Sequence, residues 1–481
     1  MRLHFVAISD NNAWYLHGAA LLLEGGRLNQ DFFDVNPPLI LYLYMPAVWL
    51  HWLAGFTLHA AFNIYILTIA AGAFWLALRQ LPAARLETIG DATVAGLLLY
   101  VMAAFPGPDF GEREHLAALF MLPYLLGLAA RLEDDTPPDR QTLFLALLAA
   151  PGFAMKPHFL LSYGVILALA YLIYRPPVRR WLPEIAIIGA FALIYGGSVI
   201  LYQPGFLRQV VPFAMEHYFV KNFPDRVVIS SVLSGFIILA PLGYLLLLSG
   251  GSRRRFFLLS ISVVFFAVFA SQNKGSPYQL LPALILFYPV FALILGDRLS
   301  DQKPLLLSRA GAIVGVALLV PILAAWPLMM TIQGDNNDLP ALKKTEIYKA
   351  LDGRYRGQAG LVLSASQTRA FPLQMYAGIK WSSRFHSVWM IPPVFGREGG
   401  RNKDKIFVIQ SLVDDIKRYR PVVIALDKSP LPVIEYGEVG LDVFFERTDL
   451  LRDALKNYRR AGAAGVFVLH ERNDFNPAAQ P

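Results

Sequence analysis

Residues 108–115 read Pro-Asp-Phe-Gly-Glu-Arg-Glu-His, and this charged stretch lies between two apolar runs, 92–106 and 116–132. The rest of the chain repeats this alternation of apolar run and short polar loop. Of its 481 residues 56% are hydrophobic and only 16% are charged, and the mean hydropathy is +0.46. In a soluble domain about a quarter of the residues are charged. The sequence therefore predicts an α-helical polytopic membrane protein, in which acids close to the bilayer are functional candidates because charge is costly there.

Composition excludes several classes of function. The formal charge of +8 does not indicate nucleic-acid binding, because most basic residues lie in short loops between apolar runs, where they set orientation. The chain has no cysteine, which excludes disulfides and thiol catalysis. Residues 1–8 are too short for a cleavable signal peptide. No glycine-rich phosphate loop or dinucleotide signature is present, so no nucleotide cofactor is expected.

Ten segments are long and apolar enough to span or nearly span a bilayer, at roughly 20 residues per crossing. They are 57–79, 92–106, 116–132, 141–155, 159–174, 182–203, 227–249, 255–271, 279–296 and 307–330. The stretch 37–55 is apolar too, and it either crosses or lies in the interface as an amphipathic helix. The prediction is therefore about ten or eleven transmembrane helices.

Loop charge predicts the topology. One set of loops is rich in basic residues: Arg79, Arg85, Arg131, Arg140, Arg175, Arg179, Arg180, Arg253, Arg254, Arg255, Arg298, Lys303 and Arg309. By the positive-inside rule this set is cytoplasmic, so the alternate loops and the tail after Thr331 face outward. In this topology 37–55 does not cross, and the start of the chain is already outside. That predicts either a first transmembrane helix missing from the N-terminus or a short translocated N-terminus.

From about Asp335 the composition changes to that of a soluble α/β module. We therefore divide the chain into a transmembrane domain at 1–333 and an extracytoplasmic α/β domain at 334–481. Alternating apolar patterns predict the elements of the module. The predicted strands are 360–364, 421–426 and 465–469, the predicted helices are 404–419 and 449–460, and 473–481 is predicted to be disordered.

Asp10 heads the first polar loop, in which residues 9–15 read Ser-Asp-Asn-Asn-Ala-Trp-Tyr. An acid at a membrane surface can act as general base toward an acceptor hydroxyl or amine. The alternative is a helix N-cap, since Asp often precedes a helix. The Asn36-Pro37-Pro38 element that closes the loop favours the functional interpretation.

Asp109, Glu112 and Glu114 offer three carboxylates within six residues, and His115 follows them directly. Such a set suits a hard divalent cation, Mg²⁺ or Mn²⁺, that bridges a phosphate leaving group. The acids can instead order Arg113 by salt bridging. A third alternative is a solvated polar loop, which a run of charges usually is.

Two isolated lysines lie in predicted outer loops beside prolines. Lys156 precedes Pro157 and His158, and Lys274 is followed by Pro277 and Tyr278. A lysine there can hold a phosphate as a point charge, or it can be a lysine that snorkels at a helix end.

Another predicted outer loop carries Glu216, His217, Tyr218 and Lys221. These residues can line an acceptor entrance, or they can form an interfacial belt.

Together these loops resemble the GT-C superfamily of membrane glycosyltransferases, in particular the bacterial protein O-mannosyltransferase-like enzymes and the lipid A aminoarabinose transferase. In that superfamily an Asp heads the first outer loop, followed by a Tyr, a Gly-containing segment and a Pro-Pro element. The matching residues, in that order, are Asp10, Tyr15, Gly25-Gly26 and Pro37-Pro38. Lys156-Pro157 resembles the family's Lys-Gly-Pro with a departure, and Lys274, Tyr278 and Leu281-Pro282 match a later Lys–Tyr–Leu-Pro element. The second loop has Glu-Arg-Glu in place of Asp-x-Asp, which leaves metal use open.

The resemblance implies an inverting glycosyltransferase of the cell (inner) membrane, with a polyprenyl-phosphate sugar donor and a cell-envelope acceptor. It implies that Asp10 is the catalytic base and that the donor phosphate is bound by Lys156, Lys274, Tyr278 and Arg113. The acceptor or its loop would contact Tyr15, His158, Glu216 and His217. The alternatives are a transporter or flippase of lipid-linked sugars and a non-catalytic subunit of polymer assembly. The acceptor can be lipid, polysaccharide or protein.

Overall fold

The computed structural model describes residues 6–81, 87–218, 252–272, 274, 276–300, 338–396 and 401–476. The chain divides into two compact units. The first comprises Met1–Trp49, Val199–Lys221 and Gly334–Pro481, and the second comprises Leu50–Ser198 and Asn222–Gln333. Compactness thus groups the start of the chain with its tail. The division into a transmembrane domain and an outer domain at residue 333 concerns sidedness and stays a prediction.

The apolar part of the chain is helical. Its helices are α1 (Asp10–Leu23), α2 (Leu39–Ala54), α3 (Leu58–Leu78), α4 (Ile89–Ala103), α5 (Arg113–Glu133), α6 (Arg140–Ala154), α7 (Pro157–Tyr174), α8 (Leu182–Tyr202), α9 (Val211–His217), α10 (Arg253–Ser271) and α11 (Leu281–Ser300). In the described residues, five of them, α3, α5, α7, α8 and α10, are long and apolar enough to cross a membrane. The predicted fold class is confirmed. The number of spans stays a prediction, because 227–249 and 307–330 lie outside the described residues.

Helix α5 is the core of the second unit. It packs against α3, α6, α10 and α11, and nearly all of its side chains are buried. Near its C-terminal end Arg131 Nη2 donates to both carboxylate oxygens of Glu184, at 2.8 and 2.9 Å. A helix of 21 residues rises about 30 Å, which is the thickness of the hydrocarbon core. Residues at the two ends of α5 therefore lie a membrane thickness apart.

The tail folds as an α/β module within the first unit. Its helices are α12 (Leu339–Lys344), α13 (Glu346–Arg354), α14 (Leu373–Ala377), α15 (Ile391–Phe395), α16 (Asn402–Tyr419), α17 (Leu441–Arg447) and α18 (Asp449–Ala454). Its strands are β1 (Ala359–Leu363), β2 (Lys380–Trp381), β3 (Val423–Asp427), β4 (Leu431–Val433), β5 (Gly437–Val439), β6 (Tyr458–Ala464) and β7 (Phe467–Arg472). The main sheet has the order β2-β1-β3-β7-β6, with β1 parallel to β2 and β3 and with antiparallel pairs β3–β7 and β7–β6.

The predicted strands at 360–364 and 421–426 and the predicted helix at 404–419 are confirmed as β1, β3 and α16. The predicted helix 449–460 is wrong at its end. It stops at Ala454, and residues 458–464 form edge strand β6, because pairing with β7 outweighs local helix preference. The prediction of disorder is wrong for 473–476, where Asn473 N donates to Asn457 O at 2.9 Å and Phe475 packs on Tyr355. Residues 477–481 lie outside the described part.

Candidate active site

Asp10 is the first residue of α1, and the capping role falls to its neighbour. Ser9 Oγ accepts a hydrogen bond from Asn12 N at 3.2 Å, which makes Ser9 the N-cap. The Asp10 carboxylate accepts from Asn11 N at 2.9 Å and is partly exposed. Burial raises the pKa of Asp10 to about 6, although backbone hydrogen bonds oppose the shift. Asp10 is therefore a stronger base than an ordinary aspartate, yet it is mostly ionised at neutral pH.

Trp14 and His17 follow Asp10 at helical spacing and share its face of α1. Trp14 is fully buried, and its ring stacks on Phe32 with centroids 4.2 Å apart. His17 and His386 both lie beside the indole, with centroids 5.5 and 5.3 Å away. Burial lowers the pKa of each histidine to about 4. Both imidazoles are thus neutral at physiological pH and can exchange hydrogen bonds without carrying charge.

Asp34 is a second acid beside this helix, and sequence analysis missed it. Trp14 Nε1 donates to Asp34 Oδ2 at 2.8 Å, and Asn36 donates to Asp34 Oδ1 through both its backbone N and its Nδ2 at 2.7 Å. Asn36 Nδ2 also donates to the Tyr15 hydroxyl at 3.1 Å. The available signal was an Asp two residues before an Asn, the spacing of an Asx turn.

A narrow cleft that opens to solvent adjoins these groups. Its lining is Tyr15, Leu28, Asn29, Phe32, Asp34, Asn36, Pro37, Pro38, Ile40, Leu41 and Phe206. The Pro-Pro element and Tyr15, which the sequence placed in one motif, therefore meet at one cleft. Gly18 permits the close approach of the loop to α1, since a Cβ there would lie 2.5 Å from the Phe32 ring.

The loop between α1 and α2 is also held by the α/β module. Phe33 N donates to Arg384 O at 2.7 Å, and Arg418 forms an ion pair with Asp31. Arg384 is itself fixed by Asp415, with Nη2 and Oδ1 2.8 Å apart. The conformation of the Asp34 loop thus depends on residues almost four hundred positions further along the chain, such as Arg418.

In the second unit, Lys156 and Glu114 form a buried ion pair. Lys156 precedes Pro157 at the start of α7, and Glu114 lies in the first turn of α5. Lys156 Nζ donates to Glu114 Oε1, and the two residues are 6% and 1% exposed. Charges buried to this degree are stable only when they are paired. This pair lies at the end of α5 opposite to the Arg131–Glu184 pair.

Further charged groups surround this pair, and we call Glu112, Arg113, Glu114, Lys156 and Lys274 the basic cluster. The charges of Arg113 and Glu112 act on Lys156, and those of Lys156, Glu114, Arg113 and Lys274 all act on His158. Three basic residues against two acidic ones leave a net charge of +1.

The turn Pro277–Leu280, which contains Tyr278, packs against α5. The second unit thus brings the residues predicted to bind phosphate to one end of α5. The phosphate role itself stays a prediction.

His115 is occupied by backbone groups. Gly111 N donates to His115 Nδ1 at 2.9 Å, so the proton is on Nε2, which lies 2.8 Å from Met102 O. The two ring nitrogens therefore contact the turn before α5 and the end of α4. Asp109 ends the short turn before it and accepts from Glu112 N at 3.0 Å through its carbonyl. In this conformation the predicted metal ligands fit an ion poorly, because His115 has no free lone pair and Glu114 pairs with Lys156.

Glu216 and His217 lie at the end of α9 and contact α16. His217 Nε2 lies 3.0 Å from Asp404 Oδ2. Arg401 pairs with Glu216 and also reaches Asp404 Oδ2 through Nε at 3.3 Å. In the described part of the chain Glu216, His217 and Asp404 form the group whose spacing suits a metal ion. Arg401 already pairs with both carboxylates, so the network is better suited to joining α9 to α16.

No protein-family model matches this sequence, and no curated protein matches it either. Among solved structures the chain is similar to ArnT from Cupriavidus metallidurans in the apo state, with a TM-score of 0.60 and 13% identity over 97% of this chain and 94% of that chain. The structure of the same protein bound to undecaprenyl phosphate gives a TM-score of 0.59 and 12% identity over 99% and 96%. Identities this low bear on the fold alone. The resemblance predicted from sequence is confirmed at that level, and the chain has the GT-C fold of ArnT along nearly its whole length.

Proposed function

We propose that this protein is an inverting glycosyltransferase of the cell membrane that moves a sugar from a polyprenyl-phosphate donor to an extracytoplasmic acceptor. The observation that carries the proposal is the ArnT fold over 99% of the chain, found in a relative solved with undecaprenyl phosphate bound. The composition of the basic cluster supports it. A group of side chains with a net positive charge suits a lipid phosphate, whose charge grows as the sugar leaves.

Asp10 and the basic cluster have separate chemical roles in this reaction. Asp10 takes the proton of the acceptor hydroxyl or amine as that atom attacks the anomeric carbon. The new bond forms on the face opposite to the departing oxygen, and the C–O bond to phosphate breaks with its electron pair remaining on the phosphate. Lys156, Lys274 and Arg113 stabilise the phosphate oxygens, and the Tyr278 hydroxyl can donate to one of them. Tyr15, His158, Glu216 and His217 are the proposed contacts of the acceptor.

None of these reaction steps uses a divalent ion. A metal role for Asp109, Glu112, Glu114 and His115 would require His115 to give up a backbone bond and Lys156 to release Glu114.

Purified protein in detergent tests the proposal directly. It is incubated with undecaprenyl-phosphate-linked sugars and with lipid A, polysaccharide and protein acceptors, and products are identified by mass spectrometry. Transfer with inversion at the anomeric carbon supports the proposal. A transporter of lipid-linked sugars would instead move the lipid across reconstituted vesicles without transferring sugar, and a non-catalytic assembly subunit would do neither.

A further inference from the structure

We propose that Asp34 and the cleft beside it bind the sugar of the donor through its hydroxyl groups. This inference rests on the proposed function and deepens it by naming the residue that recognises the sugar. It begins from the cleft lined by Tyr15, Asp34, Asn36 and the Pro-Pro element.

The Asp34 carboxylate is fixed in place and still has room for a ligand. A carboxylate offers about four acceptor positions. Trp14 Nε1 takes one position on Oδ2, and the two Asn36 donors take both positions on Oδ1. One position on Oδ2 remains, and Asp34 is partly exposed. Because Asn36 Nδ2 already donates to Asp34 and Tyr15, its remaining side-chain group is the carbonyl oxygen, which also accepts.

The cleft therefore offers acceptors to its ligand, together with an apolar wall of Phe32, Pro37, Pro38 and Ile40. A sugar ring matches this combination, since it has hydroxyl donors at its edge and C–H groups on its faces. A phosphate does not match, because no lysine or arginine is among the lining residues and Asp34 would repel it.

The position of Asp34 suggests that the sugar it binds is the one that is transferred. Trp14, which holds Asp34, lies one helical turn from Asp10 on the same face of α1. A sugar bound by Asp34 is thus held beside the helix that presents the proposed base. Neutral His17 and His386 flank the same indole.

The test compares two lipids on the full-length protein in detergent. The first is bare undecaprenyl phosphate. The second is the glycosylated lipid, taken from a panel of undecaprenyl-phosphate-linked hexoses and pentoses. The wild type is expected to bind at least one glycosylated lipid about tenfold more tightly than the bare lipid, as a charge-assisted hydrogen bond predicts. Asp34→Ala removes the carboxylate, and Leu28→Trp narrows the cleft without removing a polar group. Each is expected to abolish the preference and to leave affinity for bare undecaprenyl phosphate unchanged.

Two further variants separate this inference from the proposed function. Lys156→Met should weaken binding of both lipids equally, and Asp453→Ala, at an exposed residue of α18, should change neither. A wild type that binds bare and glycosylated lipids alike overturns the sugar subsite and leaves the donor class standing. An unchanged preference with slower transfer in Asp34→Ala assigns Asp34 to the acceptor and also overturns it. A wild type that binds neither lipid overturns the proposed function itself.

Discussion

Asp10 and Ser9 show how neighbouring polar residues at a helix start take different roles. The sequence could not distinguish a general base from an N-cap at Asp10, because both need an acid or hydroxyl before a helix. The structure gives the cap to Ser9. Asp34 was missed because the hydrogen bond that holds it comes from the indole of Trp14, twenty residues away. No local sequence pattern records such a bond.

The pKa of Asp10 predicts the pH dependence of transfer. The ionised carboxylate is the active base and burial raises its pKa to about 6, so kcat/KM should fall as the pH drops through about 6. Asp10→Asn should lower kcat at pH 7.5 by about 10²-fold or more and leave undecaprenyl-phosphate affinity unchanged. Steady-state rates from pH 5 to 8 check this. A wild-type profile without an acidic limb, or near-normal turnover in the variant, would exclude Asp10 and favour Glu112 or Glu114.

The Lys156–Glu114 pair can be both a structural contact and a phosphate site, and two variants separate these roles. Lys156→Met leaves Glu114 buried without its partner, which costs about 3–5 kcal/mol. We expect a lower Tm and weaker binding of undecaprenyl phosphate. Lys156→Met combined with Glu114→Gln removes both charges, so Tm should recover while lipid affinity stays low. Recovery of both properties in the double variant would make Lys156 a structural residue only.

Metal dependence follows from the state of His115 and Glu114. Because both ring nitrogens of His115 and the Oε1 of Glu114 are engaged, transfer should be unchanged in excess EDTA. Activity is measured with EDTA and again after adding Mg²⁺ or Mn²⁺. Loss in EDTA that either ion restores would show that this loop rearranges to bind a metal.

At the scale of elements, the sequence predicted what depends on local periodicity. The apolar helix α5 and the amphipathic helix α16 follow from their patterns, within a few residues at the ends. Edge strand β6 did not, because Arg459 and Arg460 give it the composition of a helix end and its pairing comes from β7. The gathering of Lys156, Arg113 and Lys274 at one end of α5 was expected only through the positive-inside rule, which assigns a side and no distances.

The loop between α1 and α2 should act as an element positioned by α16. Arg418→Ala removes the ion pair with Asp31 and should raise the KM for the donor severalfold, because the loop that carries Asp34 loses an anchor. Arg418 is half exposed, so Tm should fall little, by the equivalent of about 1 kcal/mol or less. The KM values of the wild type, Arg418→Ala, Asp31→Ala and the double variant form a double-mutant cycle. Additive effects on KM would show that the two residues act independently, and an unchanged KM would deny the loop a positioning role.

At the scale of the whole molecule, the start of the chain folds with its tail. Ile8 N donates to Tyr376 OH at 3.0 Å, and Val6 pairs with Asp338. Contacts between residues more than three hundred positions apart leave no trace in local composition, so the sequence suggested a tail that was separate from Asp10. The tail is therefore expected to support the geometry of the Asp10 helix, in addition to any role in selecting the acceptor.

Sidedness is a property of the whole chain. Arg131 lies at the end of α5 that loop charge places in the cytoplasm, and Lys156 pairs with Glu114 at the other end. The same loop-charge rule places the tail outside, so alkaline phosphatase fused after Gln358 should be active, whereas the same fusion after Asp135 should be inactive. Green fluorescent protein should give the reverse result at both positions. Fluorescence after Gln358 would place the tail in the cytoplasm, together with the Asp10 helix that folds with it. That result would remove the main argument for an outward-facing lipid-phosphate donor, because Asp10, the proposed base, would then face the compartment where nucleotide sugars are made.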